Sequence, residues 1–276
     1  DGSEPQPHKS LLYTSAIKIT KNTPLRAIAI GKNKHRSDVT TGSYFFETRK
    51  ITLPVISLVT DNEFAFGDSL GFLVVGTNGA KTASGCNAGV PYANYMQDWD
   101  RPCNFEYFDL DKNEQLNQEV KISGFGGCSR TNKTKSIKVK ANKTFGNNRF
   151  EYPLFAEKPN LKWKSVVLRN SGNDYSSTML RDGYLQSSII DRMDIDHQAY
   201  EPTAVYINGE YYGMLNMRER SNEDYIYSNY GYDEDSICIH EGSGKYSGNG
   251  IQSNYSDIYE YFSNVKNMSA EGMYDS

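Results

Sequence analysis

The sequence lacks an excess of basic residues and lacks long apolar runs. Among its 276 residues, Lys and Arg number 30 and Asp and Glu number 34, which gives a formal net charge of −4 at pH 7. Nucleic-acid-binding domains typically carry a positive face, and a membrane-spanning helix needs roughly 20 consecutive apolar residues. We therefore expect a chain that binds no nucleic acid and contains no transmembrane segment.

Cysteine is scarce and shows no metal-binding spacing. The cysteines are Cys86, Cys103, Cys128 and Cys238, no two of them form a CxxC pair, and the four histidines do not cluster near them. A zinc site is therefore not expected, and no metal ligand is assigned in this chain. Cys86 and Cys103 flank a loop-like segment and could pair in an oxidising compartment. Buried free thiols are the alternative.

Two familiar ligand-binding loops are also missing. No GxxxxGK[ST] phosphate loop occurs anywhere in the sequence. The DLDKN run at 109–113 begins like a calcium loop, but Glu114 stands where glycine is needed and Val120 stands where a bidentate glutamate is needed. This run is therefore predicted to be the polar turn of a β-hairpin.

What the sequence does contain is a glycine-rich run that leads into a basic strand. Residues 124–140 read GFGGCSRTNKTKSIKVK, in which Ser136, Lys138 and Lys140 alternate with Lys135 and two apolar residues. This alternation predicts a half-buried strand. Glycine lets the backbone approach a ligand, and ammonium groups suit a phosphate. An ordinary hairpin with solvated lysines is the alternative.

The remaining pattern predicts an α+β fold with few helices. Strands are expected at 16–20, 25–30, 39–46, 53–59, 119–123 and 163–170, with a hairpin of 204–208 and 211–217 across an Asn-Gly turn. An apolar stripe predicts a helix over 178–193, and a second helix at 223–230 is expected to end at Gly231. The sheet is expected to be mixed or antiparallel.

The first 48 residues resemble a known accessory module. DGSEP, LYTSAIKI, TPLRAIAI and SDVTTGSYFF look like the small β-sandwich that ends chitobiase-type hexosaminidases, although its first strand is missing. We therefore divide the chain into this module, at 1–48, and a main domain, at 49–276. Such modules occur in secreted bacterial proteins, so a cell-surface or extracellular location and a possible glycan partner are expected.

The main domain resembles the CotH spore-coat kinase family over residues 51–241. The motifs that carry the resemblance include WDRPCNFEYFD at 99–109, ISGFGGCSR at 122–130, KSVVLRNSGND at 164–174 and DHQAYEPTAVYINGEYYGMLNMRER at 196–220. The resemblance implies the amino-terminal lobe and hinge of an atypical protein-kinase-like fold. It also implies ATP and Mg²⁺ or Mn²⁺ as cofactors, and Ser or Thr of a surface or coat protein as the phosphate acceptor.

The same resemblance assigns nucleotide-binding positions. It places a lysine against the α and β phosphates, a glycine turn above the nucleotide, an acid at the start of a helix that could pair with this lysine, and a glutamate beside the adenine edge. Structural roles, such as solvated lysines, a surface ion pair or a helix cap, are the alternatives. The positions are Gly126, Gly127, Ser129, Arg130, Lys135, Asp182 and Glu219.

The sequence departs from the family pattern in one way that bears on activity. The family's catalytic and metal-binding aspartates belong to later segments that are not found before Ser276, so no catalytic residue is assigned. We expect the chain to be a fragment of a protein kinase that is itself inactive, because phosphoryl transfer needs those groups. The alternative is a non-catalytic adhesion, matrix-binding or carbohydrate-binding protein that uses the kinase-like fold as a scaffold.

Overall fold

A computed structural model describes residues 2–33, 35–46, 50–77, 93–190, 192–241 and 245–248. These residues form many strands and few helices, which confirms the expected α+β class. The strands and α-helices are β1 (Thr23–Ala27), β2 (Thr40–Tyr44), β3 (Val55–Val59), α1 (Asn62–Ala65), β4 (Arg101–Phe108), β5 (Glu114–Phe125), β6 (Ser136–Ala141), β7 (Phe150–Glu151), β8 (Lys162–Trp163), β9 (Ser165–Arg169), α2 (Arg181–Ile189), β10 (Tyr200–Ile207), β11 (Glu210–Glu219), α3 (Glu223–Tyr230), β12 (Cys238–Glu241) and β13 (Lys245–Gly248).

The chain divides into two compact units, Asp1–Glu219 and Arg220–Ser276. In the second unit, α3 is capped by Asn222 and ends at Gly231, whose φ of 76° confirms the predicted helix end. Strands β12 and β13 pair antiparallel in the same unit. None of the helices in the described residues combines the length and the apolar character that a membrane span requires.

Seven strands of the first unit close into a barrel in the order β10-β11-β9-β6-β5-β4-β3. All neighbouring pairs are antiparallel except β10 and β3, which are parallel. The predicted alternation in β6 is confirmed, because Ile137 and Val139 point into the barrel core while Lys138 and Lys140 lie on the outer face. Closure of the sheet into a barrel was not expected from the sequence.

The barrel core extends into two connecting segments. Phe72 and Leu73, which follow β3 and α1, belong to the same buried cluster as the inward-facing strand residues. The segment between β6 and β9 contributes aromatic side chains, with the ring of Phe150 5.1 Å from that of Phe105 and the ring of Phe155 5.0 Å from that of Trp163.

The N-terminal residues attach to the barrel through buried polar contacts. Strands β1 and β2 pair with each other, but the predicted strand at 16–20 does not form, because those residues are mostly exposed and pair with no other strand. Arg26 pairs with Glu119 of β5 at 3.1 Å. Ser43 donates from its backbone N–H and from its hydroxyl to the fully buried carboxylate of Glu106, at 2.8 and 2.5 Å.

The predicted turns have the backbone geometry that their residues favour. Asn208 and Gly209 join β10 to β11 with φ values of 51° and 84°, which is the signature of the predicted Asn-Gly hairpin turn. The 109–113 run is a hairpin turn between β4 and β5, in which Asp109 accepts a hydrogen bond from the backbone N–H of Asn113.

Of the two alternatives left open for Cys103, pairing with Cys86 or a buried free thiol, the structure shows the free thiol. Cys103 is a buried free thiol on the inner face of β4, and burial raises its pKa well above the ordinary value. Cys128, within the glycine-rich run, is disulfide-bonded. Cys86 lies outside the described residues.

Helix α2 is shorter than the predicted 178–193 and packs differently from an apolar stripe. Tyr184 is 70% exposed, whereas the buried Gly183 faces Tyr200 so closely that a Cβ atom would lie 2.6 Å from its ring. Asp174 accepts a hydrogen bond from the first helical N–H, that of Arg181, which fixes the start of the helix. The helix is therefore attached by close backbone approach and polar contacts.

Candidate functional site

The glycine-rich run forms a sharp bend after β5. Gly126 has a φ of 96°, and a Cβ atom there would lie 2.5 Å from Oγ of Ser129, so a larger residue would be strained. Around the Cβ position of Gly127 there is open space. The chain then makes a 3₁₀ turn over Cys128–Thr131 and returns into β6.

Lys135 lies at the base of this bend. Because β5 and β6 pair Phe125 with Ser136, Gly126 and Lys135 are the next residues on either side of the hairpin. The Lys135 side chain follows the inward alternation of β6, and the residue is only 7% exposed.

The ammonium group of Lys135 is held by neutral groups. Its Nζ donates to the backbone oxygen of Asn132 at 2.8 Å and lies 4.6 Å from the centroid of the Tyr95 ring. In the described part of the chain no carboxylate lies within ion-pair distance of this nitrogen. Burial lowers the pKa of Lys135. The site therefore holds a desolvated cation without a compensating negative charge.

Arg130 stabilises the bend through hydrogen bonds. Its Nε donates to the backbone oxygen of Gly126 at 2.5 Å, its Nη1 to that of Met96 at 3.2 Å, and its Nη2 to the carboxylate of Asp98 at 3.0 Å. Each guanidinium nitrogen therefore has a protein partner, and the side chain joins the bend to the segment that carries Tyr95.

Asn170, which the sequence analysis did not single out, fixes the other side of the bend. This fully buried residue donates through Nδ2 to the backbone oxygens of Ser129 and Thr134 and accepts through Oδ1 from the hydroxyl of Ser136. The available signal was its place at the end of a predicted strand, where asparagine often bonds to nearby backbone. Only the fold shows that this backbone belongs to the glycine bend.

Two tyrosine hydroxyls position the backbone that precedes β6. The N–H of Lys135 donates to the hydroxyl of Tyr212 at 2.7 Å, and burial raises the pKa of Tyr212 to about 12. The N–H of Thr134 donates to the hydroxyl of Tyr175 at 3.2 Å. With a pKa of about 12, the Tyr212 phenol is neutral at physiological pH, so it orients Lys135 without supplying a charge.

Asp182 does not pair with Lys135. In the first turn of α2 it accepts from Arg218 of β11 at 2.7 Å and from Arg169 of β9 at 3.4 Å. Arg218 is 1% exposed and also donates to the backbone oxygen of Ala199, and burial lowers its pKa. Asp182 therefore joins the helix to the outer face of the barrel.

Glu219 is buried at the end of β11, and its carboxylate also contacts other groups of the protein. Its carboxylate lies 3.4 Å from Nζ of Lys158 and accepts from the N–H of Ala199 at 2.7 Å. The registers through β9 place Lys135 level with Leu215, four residues before Glu219, or about 13 Å along the strand direction. The two predicted positions are thus not in contact.

The side chains present were expected by resemblance to accompany a metal ion in the family. Among the described residues, no three side chains of the His, Cys, Asp or Glu type come close enough together to hold a metal ion. The Mg²⁺ or Mn²⁺ ion that the sequence resemblance implies therefore finds no ready ligand set there.

Two protein-family models match different parts of the chain. A family model described as CotH kinase protein matches residues 122–274, which is more than half of the chain. A model described as Fn3 associated matches residues 1–44, so an N-terminal accessory module is found, but not the specific chitobiase type that the sequence suggested. No curated protein matches the chain. The longer match spans the glycine bend, Lys135, Asp182 and Glu219.

Proposed function

Because the chain belongs to the CotH kinase protein family, we propose that the bend at 126–135 binds the phosphates of ATP in a phosphotransferase. In the reaction, a Ser or Thr hydroxyl oxygen of a surface or coat protein bonds to the γ-phosphorus and the bond to the β,γ-bridging oxygen breaks. ADP leaves, and the hydroxyl proton passes to solvent or to a base. Mg²⁺ or Mn²⁺ would neutralise phosphate charge when bound.

One observation carries this proposal: among the residues that the structure describes, the buried ammonium of Lys135 meets only a carbonyl oxygen and an aromatic face. A cation removed from water without a negative partner is costly, and a phosphate oxygen would offset that cost. The adjacent Gly126 and Gly127 allow a ligand to approach the backbone, and Ser129 offers a hydroxyl at the same bend.

The other predicted positions take supporting roles in this proposal. Arg130 holds the bend in shape through its bonds to carbonyl oxygens. Asp182 holds α2 against β9 and β11, and Glu219 holds the end of β11 against Lys158. Contact of the Glu219 backbone with the adenine edge is also part of the proposal.

The test is ATP binding by the protein and by two matched variants. Lys135→Met removes the buried ammonium, while Lys133→Met removes an exposed one two residues away. We expect Lys135→Met to weaken ATP binding by at least tenfold in calorimetry and Lys133→Met to leave it within twofold. Equal affinities for all three proteins would overturn the nucleotide assignment.

A transfer assay separates binding from catalysis. The natural polypeptide, incubated with γ-labelled ATP and MgCl₂ or MnCl₂, should label Ser or Thr of itself or of an added surface protein. Failure to bind ATP together with retained binding to a glycan or matrix protein would favour the non-catalytic scaffold. The disulfide at Cys128 supports an oxidising, extracytoplasmic location for either function.

A further inference from the structure

Positive charge is concentrated in one segment near the start of the chain. Residues 5–37 contain seven Lys and Arg side chains and no Asp or Glu, whereas the whole chain has 34 acidic and 30 basic residues. Arg26 pairs with Glu119 of the barrel, and Arg36 pairs with Glu4. Such charge asymmetry is typical of a segment that meets a negatively charged partner.

The other cations of this segment include three lysines of one exposed loop. We call residues 6–21 the basic loop. Every residue from 6 to 18 is exposed, and no residue of the basic loop belongs to a helix or a strand. Its lysines, Lys9, Lys18 and Lys21, form no ion pair with any residue that the structure describes. The loop therefore presents three positive charges to solvent.

The basic loop is held at both ends by ordered contacts. Before it, Pro5 is buried and its backbone oxygen accepts from the guanidinium of Arg36 at 2.9 Å. After it, Oδ1 of Asn22 accepts from the backbone N–H of Phe46 at 2.6 Å, and strand β1 begins at the next residue. The exposed residues between these contacts therefore extend from a fixed base.

Large apolar side chains lie between the lysines of the loop. Leu11, Leu12 and Tyr13 are 100%, 86% and 73% exposed, and Ile17 is exposed as well. Scattered apolar side chains are common at protein surfaces, whereas a contiguous exposed group marks a surface that contacts another molecule. Because the lysines flank this group, a fitting partner offers negative charge beside an apolar phase.

We propose that the basic loop binds the surface of a lipid bilayer that contains anionic lipids. Leu11, Leu12 and Tyr13 enter the boundary between headgroups and acyl chains, and the flanking lysines contact the lipid phosphates. A hydrated polyanion such as an acidic polysaccharide matches the lysines but buries little aliphatic surface, so the leucines favour lipid. The nucleotide assignment plays no part in this proposal.

The test is co-sedimentation of the protein with vesicles of two compositions. Phosphatidylcholine alone gives a neutral surface, and phosphatidylcholine mixed with phosphatidylglycerol gives an anionic one. We expect binding to the anionic vesicles to be tighter by about tenfold or more and to weaken as NaCl is added, because salt screens the lysines. Equal binding to both compositions, or binding to neither, would overturn the proposal.

Two variants separate the contributions of charge and of apolar surface. Lys9→Gln/Lys18→Gln/Lys21→Gln and Leu11→Ser/Leu12→Ser should each weaken binding to anionic vesicles by about tenfold or more. Matched controls make the same changes at exposed positions of the barrel unit and should leave binding within about twofold. These controls are Lys133→Gln/Lys143→Gln/Lys162→Gln and Leu110→Ser/Leu161→Ser. Equal losses in the loop variants and in their controls would contradict a role of the loop.

Fluorescence provides a readout that does not depend on sedimentation. Tyr13→Trp should shift its emission to shorter wavelength when anionic vesicles are added, because the indole leaves water. Tyr184→Trp, at a similarly exposed position of α2, should not shift. The replaced side chains are exposed, so we expect each variant to keep the melting temperature of the parent protein.

Sedimentation velocity tests a second copy of the chain as the alternative partner of the loop. Under the lipid proposal, Leu11→Ser/Leu12→Ser leaves the oligomeric state unchanged. A dimer that this variant converts to a monomer, together with absent vesicle binding, would assign the loop to self-association and overturn the lipid proposal.

Discussion

Nη1 of Arg218 lies 2.7 Å from Oδ2 of Asp182, and this contact joins the outer face of the barrel, at the end of β11, to the first turn of helix α2. The arginine is buried, whereas the Asp182 side chain is 45% exposed. The aspartate thus neutralises a charge that has little access to water. The resemblance suggested that this acid could pair with the lysine of the glycine bend. It pairs with Arg218 instead.

Replacing Asp182 with Asn should destabilise the protein by about 2 kcal/mol, because it leaves the buried Arg218 uncompensated. Arg169→Gln should cost less than about 1 kcal/mol, since Arg169 is partly exposed and lies 3.4 Å from the carboxylate. Urea denaturation of the two variants measures the difference. Equal losses would show that the Arg218 contact contributes no more than the exposed one.

Asn170→Ala should cost about 3 kcal/mol, because it orphans the buried hydroxyl of Ser136 and two carbonyl oxygens of the bend. Asn142, which caps the 3₁₀ turn Lys143–Phe145, is the matched control, and its loss should cost about 1 kcal/mol. Amide hydrogen exchange should be faster at 129–135 in Asn170→Ala. Unchanged exchange at the bend would contradict the role assigned to Asn170.

The sequence was informative wherever one local pattern decides the structure. Alternation in β6 correctly separated Ile137 and Val139 from the outward lysines, because the period of a strand is two whatever surrounds it. The Asn208-Gly209 pair correctly predicted a hairpin turn, again from a local property, because both residues tolerate a positive φ.

Contacts between residues that lie far apart in the sequence could not be predicted from local patterns. The sequence analysis offered Asp182 only the lysine of the bend as a partner, and it is the register of β9 with β11 that brings Arg218 and Arg169 together beside it. Burial of Lys135 likewise depends on Tyr95, which is 40 residues distant in the chain. Barrel closure rests on the parallel pairing of β10 with β3, a long-range contact that no local pattern records.

Stability should fall as the pH rises above 4.5 because of Glu106. Burial is the largest cause that raises the pKa of this carboxyl above its ordinary value of 4.5. The folded protein therefore holds the proton more tightly than the unfolded chain, and the free energy of unfolding falls from pH 4.5 up to the folded-state pKa. Glu106→Gln should flatten this part of the profile, while Glu210→Gln, at an exposed position, should not.

Loss of the disulfide at Cys128 should destabilise the protein by about 2–4 kcal/mol. Cys128→Ser therefore should lower the denaturation midpoint, whereas Cys238→Ser, which removes a free thiol, should have little effect. Alkylation under denaturing conditions without reductant provides a direct check. It should label Cys103 and Cys238 but not Cys128, and labelling of Cys128 would contradict the bond.

Glu219 and Lys158 form a buried pair whose side chains are 3% and 9% exposed, so removing one partner should be worse than removing both. Glu219→Gln and Lys158→Met should each cost about 3 kcal/mol, because each leaves a buried charge, and the double variant should recover part of that loss. ATP binding by the double variant then separates two roles for Glu219. Recovered stability with normal binding assigns the glutamate to the fold alone, whereas recovered stability with weakened binding places the end of β11 at the nucleotide.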